Sequence, residues 1–202
     1  MRFSGSVRGI GTRRVPFSLT GDVDRLTIGK LSALIGRELD MTGTVSGSIQ
    51  ASGIYAADTL PGLNPFRDTK ASADLTLEDG TAFDLPINDA HAKLNLTGTR
   101  LDVSDAVMTS QDATLAVSGS ASLDTKAVDL SFDLTGFDLA RIRDRVKNYA
   151  NIAGTAKARG TVTGTADDIR AAVSAAVDNL TLNGKLYDQA EVSLAYGANV
   201  IS

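Results

Sequence analysis

The sequence predicts an all-β chain folded as a long twisted antiparallel meander, and three observations carry that expectation. Apolar and polar residues alternate with a period of two along most of the 202 residues, as half-buried strands require. Turn-forming groups such as Asp79-Gly80, Leu123-Asp124-Thr125-Lys126 and Asn183-Gly184 punctuate the alternating runs, as hairpins require. One short pattern recurs inside those runs, as Gly5-Ser6-Val7-Arg8-Gly9, Gly43-Thr44-Val45-Ser46-Gly47 and Gly160-Thr161-Val162-Thr163-Gly164.

The elements follow in order along the chain. Phe3, Gly5 and Val7 alternate with Ser4, Ser6 and Arg8 almost from the first residue. Ile28, Leu31, Leu34 and Ile35 are spaced to form one face of a short amphipathic helix. Met41, Gly43, Val45, Gly47, Ile49, Ala51 and Gly53 then share one side of a strand, opposite Thr42, Thr44, Ser46, Ser48, Gln50 and Ser52. Residues 59–66 break the alternation with two prolines and read as a loop. Alternation resumes at Leu75 and Leu77, at Ala92, Leu94 and Leu96, at Leu115, Val117 and Gly119, and at Val128, Leu130, Phe132 and Leu134. Leu139, Ile142, Val146 and Tyr149 or Ala150 mark a second short amphipathic helix, before Val173, Ala175, Val177, Leu180 and Leu182. Val192, Leu194 and Tyr196 are still alternating close to Ser202. Each helical stretch precedes a glycine-flanked strand and reads either as a plug over a sheet edge or as a crossover helix docked on the sheet.

Two motifs keep their order at nearly fixed spacing. Phe17-Ser18-Leu19-Thr20-Gly21 precedes the second glycine pattern and Phe132-Asp133-Leu134-Thr135-Gly136 the third, with 22 residues from Gly21 to Gly43 and 24 from Gly136 to Gly160. Such an arrangement points to a duplicated supersecondary unit. The organisation expected is one continuous segment, 1–202, with approximate repeat units 1–53 and 128–202 flanking 54–127. It reads as an interior stretch of a longer repetitive protein.

Composition removes several function classes. Twenty Lys and Arg against 24 Asp and Glu, spread along the chain, offer no basic stripe for phosphates, so nucleic acid is not expected as a partner. The absence of cysteine removes disulfides and thiolate metal sites. No apolar run approaches the roughly 18 to 20 residues of a membrane-spanning helix. A transmembrane barrel needs aromatic girdles, and a chain with no Trp, four Tyr and six Phe supplies them poorly.

Catalytic constellations are not found. His91 is the single histidine, sits among polar positions of a strand, has no nucleophile elbow near it and is expected at the exposed surface. Asp22 with Asp24, Asp167 with Asp168 and Glu78 with Asp79 lack the ligand spacing of a calcium loop. Gly5 to Gly11 and Gly154 to Gly164 lack the Gly-Lys-[Ser/Thr] ending of a phosphate loop. No enzyme activity, cofactor or metal is expected.

The order Phe-x-Leu-Thr-Gly, a Leu/Ile-spaced stretch, then Gly-Thr-Val-[Ser/Thr]-Gly, continued by Thr165-Ala166-Asp167-Asp168-Ile169, resembles the AsmA/TamB superfamily of bacterial envelope proteins. The run from Leu101 through Ala113-Thr114-Leu115-Ala116-Val117-Ser118-Gly119 to Gly136 is similar to the same family's recurring strand, turn and glycine-ended strand. The resemblance covers nearly the whole chain and does not separate the AsmA-like from the TamB-like branch. It implies an open, taco-shaped β-groove in the periplasm, anchored to the inner membrane by an N-terminal helix not present here. Its apolar inner face would carry phospholipid between the inner and outer membranes and support outer-membrane biogenesis. Implied partners are phospholipid acyl chains, neighbouring repeats of the same protein and an outer-membrane assembly barrel.

The lipid-contacting set expected on that face is Val45, Ile49, Leu75, Leu77, Leu94, Leu96, Leu115, Val117, Leu130, Phe132, Val162 and Val173. Small inward residues fit a trough with unfilled volume, since acyl chains need apolar contact and no fixed polar partner. They also fit strong twist or close sheet packing. The second function class is therefore a self-contained β-sandwich or solenoid, a scaffold or adhesion module that binds no ligand.

Overall fold

The alternating runs form the strands of one sheet. In the computed structural model, which describes residues 2–9, 13–30, 40–56, 68–82, 85–145, 151–165, 167–197 and 200–201, the strands are β1 Arg2–Val7, β2 Arg14–Thr27, β3 Met41–Ala56, β4 Lys70–Ala82, β5 Leu85–Thr97, β6 Arg100–Ser110, β7 Ala113–Ser122, β8 Val128–Asp138, β9 Ile152–Thr165, β10 Asp168–Leu182, β11 Lys185–Gly197 and the two-residue β12 Val200–Ile201. Each pairs antiparallel with its sequence neighbours, in the order β1 to β12, and the sheet does not close on itself. The expected meander is thus the observed fold. All of these strands belong to one open sheet.

Short turns dictate this order, since two-residue connections can join only adjacent antiparallel strands. Asn183 and Gly184, at φ 50° and 78°, link Leu182 to its partner Lys185, the arrangement of a type I′ turn. Asp79-Gly80 is different. The hairpin expected there is absent: β4 runs on to Ala82, which pairs with Leu85. Asp79 instead takes φ 50° inside the strand, at a register shift against β3, because an Asp tolerates the left-handed conformation in a bulge as readily as in a turn.

That bulge is one of a set. Each even-numbered strand from β2 to β10 carries one extra residue against a neighbour: β2 between Val23 and Leu26, β4 between Glu78 and Thr81, β6 between Val103 and Ala106, β8 between Leu134 and Phe137, and β10 between Asp178 and Thr181. Arg25, Asp79, Gly136 and Asn179 supply the positive φ in four of them. Bulges bend a strand and raise its local twist, so a bulge in every second strand curves a sheet progressively.

Helix is scarce. The second expected amphipathic helix is a 3₁₀ helix over Leu139–Arg145, tighter than the α-helical spacing suggested, and the expected face residues Val146, Tyr149 and Ala150 lie outside the described residues. Of the first, residues 28–30 are helical, while Leu31, Leu34 and Ile35, like the proline loop 59–66, lie outside them. Both excursions leave the same end of the sheet, after the even-numbered strands β2 and β8. There Ile28 packs with Leu77, Ala82 and Ile87 in a small buried cluster, against Met41, Val45, Ala90 and Met108. Leu139 is buried as well, and Arg141 Nη1 donates to Ser110 O at 3.3 Å and Ser110 Oγ at 3.2 Å.

Elsewhere burial is partial. Among the described residues no side chain is fully buried. The accessible surface is 13235 Å², whereas a compact monomer of 21.0 kDa exposes about 9,000 Å². An open sheet accounts for the excess, because it does not close around an interior.

Candidate functional site: a continuous apolar face

Directly opposed residues of an antiparallel pair project to the same face, so the pairing register converts the one-dimensional alternation into rows that cross the strands. One row runs Gly5, Leu19, Ala51, Ala71, Leu96, Leu101, Ala121, Val128, Gly164 and Ile169. The next runs Phe3, Gly21, Ile49, Ala73, Leu94, Val103, Gly119, Leu130, Val162, Ala171 and Tyr196. A third runs Val23, Gly47, Leu75, Ala92, Ala106, Val117, Phe132, Gly160, Val173 and Leu194. The fourth runs Leu26, Val45, Leu77, Ala90, Met108, Leu115, Leu134, Ala158, Ala175 and Val192. Apart from the Tyr196 hydroxyl, these rows contain no polar side chain.

All twelve residues expected to form the apolar surface fall within these four rows, and the register brings them together on one face. Val45, Leu77 and Leu115 share the fourth row, Leu75, Val117, Phe132 and Val173 the third, Ile49, Leu94, Leu130 and Val162 the second, and Leu96 the first. Leu77 is buried beneath Ile28, and the other eleven are half-buried. Strand geometry gives the four rows across β1 to β11 a footprint of about 20 Å by about 48 Å, roughly 1,000 Å². The largest apolar patch of an ordinary monomer is about 300 to 600 Å².

Several members of the face were not singled out from the sequence. Leu26, Ala106 and Phe137 follow Val23, Val103 and Leu134 by three positions, which breaks a period of two. The bulges absorb the extra residue and return each side chain to the apolar side: Phe137 opposes Ala156, two positions from Ala158. Apolar residues three apart between two alternating runs were the available signal.

Small residues shape the face. Ala90, Ala92 and Ala106 floor a depression of about 430 Å³ whose lining includes Leu75 and Leu77 on one side and Leu115 and Val117 on the other. Glycines sit where a large neighbour needs room: a Cβ on Gly160 would lie 2.8 Å from the Phe132 ring, and one on Gly21 would collide with the Phe3 ring. The alternation of large and small along each row is therefore mutual packing across strands.

The opposite face is polar and paired. Lys93 Nζ donates to Asp105 Oδ2 at 3.2 Å, and His91 Nε2 lies 3.3 Å from Asp105 Oδ1. Hydrogen bonding from Lys93, and after it from His91, holds the Asp105 carboxyl below its ordinary value of 3.8. His91, expected as an exposed surface histidine, is half-buried within this trio. Lys157 pairs with Asp178 at 3.3 Å, and Ser118 Oγ meets Ser131 Oγ at 3.0 Å. These contacts span adjacent strands of a solvated surface, where each ion pair contributes little to stability.

Among the described residues no group of three His, Cys, Asp or Glu converges as metal ligands, and no helix is long and apolar enough to cross a membrane. Searches with this chain against protein-family models, characterised proteins and solved structures match nothing. What the chain can do rests on its own surfaces.

Proposed function

We propose that this chain is a stretch of wall in a hydrophobic conduit for phospholipid acyl chains, part of an AsmA/TamB-like protein of the bacterial envelope. The observation that carries the reading is the apolar face, whose second row passes from β1 to β11 and whose other three rows each cross all but one of those strands, none of them with a charge. An acyl chain gains free energy by leaving water for any continuous hydrocarbon surface and needs no fixed polar partner, so a face of this kind serves it along its whole length. Bulges in every second strand supply the curvature that turns a sheet into an open groove. Ile28 and Leu139, buried at one end of the strands, act in this reading as plugs along one rim. The chain performs no chemistry; it lowers the cost of moving lipid through water.

Ile49→Asp tests the reading. Ile49 stands between Gly21 and Ala73 in the second row, and a carboxylate there interrupts the apolar path while remaining within reach of water. The control is Gln50→Asp on the polar face, whose neighbours Thr20 and Ser72 are neutral; Ser48 is unsuitable because it opposes both Asp22 and Asp74. Expected is phospholipid, identified by mass spectrometry, in the gently extracted protein and in Gln50→Asp, with depletion in Ile49→Asp and similar melting temperatures for all three. An unmutated protein free of phospholipid overturns the conduit reading, as does collapse of the fold in Ile49→Asp. A lipid-free dimer that hides the apolar faces would favour a scaffold instead.

A further inference from the structure

The depression between β4 and β7 arises where two small residues fall side by side. In the third row small residues stand singly, as Gly47 and Gly160 do, except where Ala92 opposes Ala106. Ala90 adjoins them in the fourth row, and in the second row the same two strands carry Leu94 and Val103, so the small floor ends there. Leu75 and Leu77 wall it along β4, Val117 and Leu115 along β7, and Ile28 and Met41 stand at the end where β2 gives way to β3. Thr76 and His91 also border it, but their side chains turn to the opposite face, where Thr76 Oγ1 donates to Ser46 O and His91 meets Asp105. Among the described residues, every side chain that faces the hollow is therefore apolar.

We propose that this depression is a fixed seat for one acyl chain of a phospholipid, the place where lipid on the face halts with its hydrocarbon held and its headgroup outside, an assignment that rests on the conduit reading. A hollow without donor or acceptor side chains takes hydrocarbon and rejects a headgroup, which would give up its water for no partner. It does not suit a peptide either. β5 and β6 are interior strands bonded on both sides, so a backbone laid on the floor finds nothing to satisfy its N–H and C=O groups. The volume of about 430 Å³ is roughly three times the ~150 Å³ that takes one benzene ring, so a single inserted side chain leaves most of it empty while a flexible chain can fill it. Methionine adds adaptability. The chain has three methionines, and the two beyond the first residue, Met41 and Met108, both border this depression. Unbranched thioether side chains repack around guests of different shape, so the seat accepts acyl chains that differ in length and unsaturation.

The test is methyl NMR of the whole chain with isotope-labelled methionine, titrated with a palmitoyl lysophospholipid below its micelle concentration. Met41→Leu and Met108→Leu assign the two signals. Expected is a saturable shift of both with one equivalent bound, and no shift with the same headgroup lacking its acyl chain. Ala106→Leu, and separately Ala92→Leu, fills the floor and should weaken binding by roughly tenfold, the effect of expelling two methylenes from apolar contact. Ala116→Leu, on the opposite face of β7 where it faces Val107, should bind as the unmutated chain does. Circular dichroism checks that each variant keeps its sheet, and the titration of the unmutated chain stands even where a floor variant does not fold. Methionine signals that the lipid leaves unmoved overturn the seat, and so does binding that neither floor variant weakens. Signals that follow protein concentration and ignore the lipid give the depression to a second copy, which overturns it too. The two readings fail separately. Phospholipid that co-purifies yet leaves Met41 and Met108 unmoved keeps the conduit and removes the seat, whereas saturable binding here by a chain that never carries phospholipid from the membrane keeps the seat and removes the conduit.

Discussion

The ring of Phe132 lies directly across from Gly160, close enough that a Cβ at Gly160 would sit 2.8 Å from ring carbons Cε1 and Cζ. The glycine is the floor on which the ring rests, and Val173 follows it in the same row. An aromatic side chain covering a strand glycine compensates for the conformational freedom and missing contacts of that residue.

Gly160→Ala is accordingly expected to destabilise the fold by about 1 to 3 kcal/mol, the usual effect of inserting a methyl where neighbours cannot retreat. The carbonyl oxygen of Ala172, 2.5 Å from the same Cβ position, prevents relief by ring movement alone. Gly29→Ala is the control, because nothing lies within 4 Å of its Cβ position. Equal melting temperatures for the two variants would show that the ring does not pack on Gly160.

Deletion of Ser104 separates curvature from folding. Ser104 and Asp105 stand between Val103 and Ala106 on the apolar face, so removing one residue restores a plain period of two without moving either neighbour off that face. The deletion variant should stay folded, with β6 paired in register to β5 and β7. Small-angle scattering should report a flatter particle, and bound phospholipid should fall if curvature shapes the groove. Unfolding of the variant would mean that this bulge is needed for pairing itself.

Asp105 sets a pH dependence whose sign follows from its lowered pKa. A carboxylate that titrates lower in the folded than in the unfolded state adds stability above the ordinary value of 3.8, and that contribution is lost as pH falls through the folded value. Asp105→Asn should therefore melt slightly below the unmutated chain at neutral pH, with the gap closing below pH 3.8. High salt should narrow it too, since the carboxylate faces solvent. A gap that stays constant from neutral to acid pH would assign the loss to packing instead of charge.

The sequence by itself determined which residues are strands, in what order they pair, and which side of each is apolar. These features are local. A two-residue alternation marks a half-buried strand wherever it occurs, and connections as short as Asn183-Gly184 leave no choice but the adjacent antiparallel neighbour. Tertiary structure alone decided the register, and the register depends on contacts between strands that are remote from any one of them. It turned Asp79-Gly80 from a hairpin into a bulge, carried Ala106 and Phe137 back to the apolar side, set Phe132 over Gly160 and drew His91 and Lys93 to Asp105. It also decided that the apolar face stays uncovered. Alternation reports that one side of a strand avoids water, but the same pattern serves a sandwich, a barrel or an open sheet, and only the arrangement of strands in space fixes what that side meets.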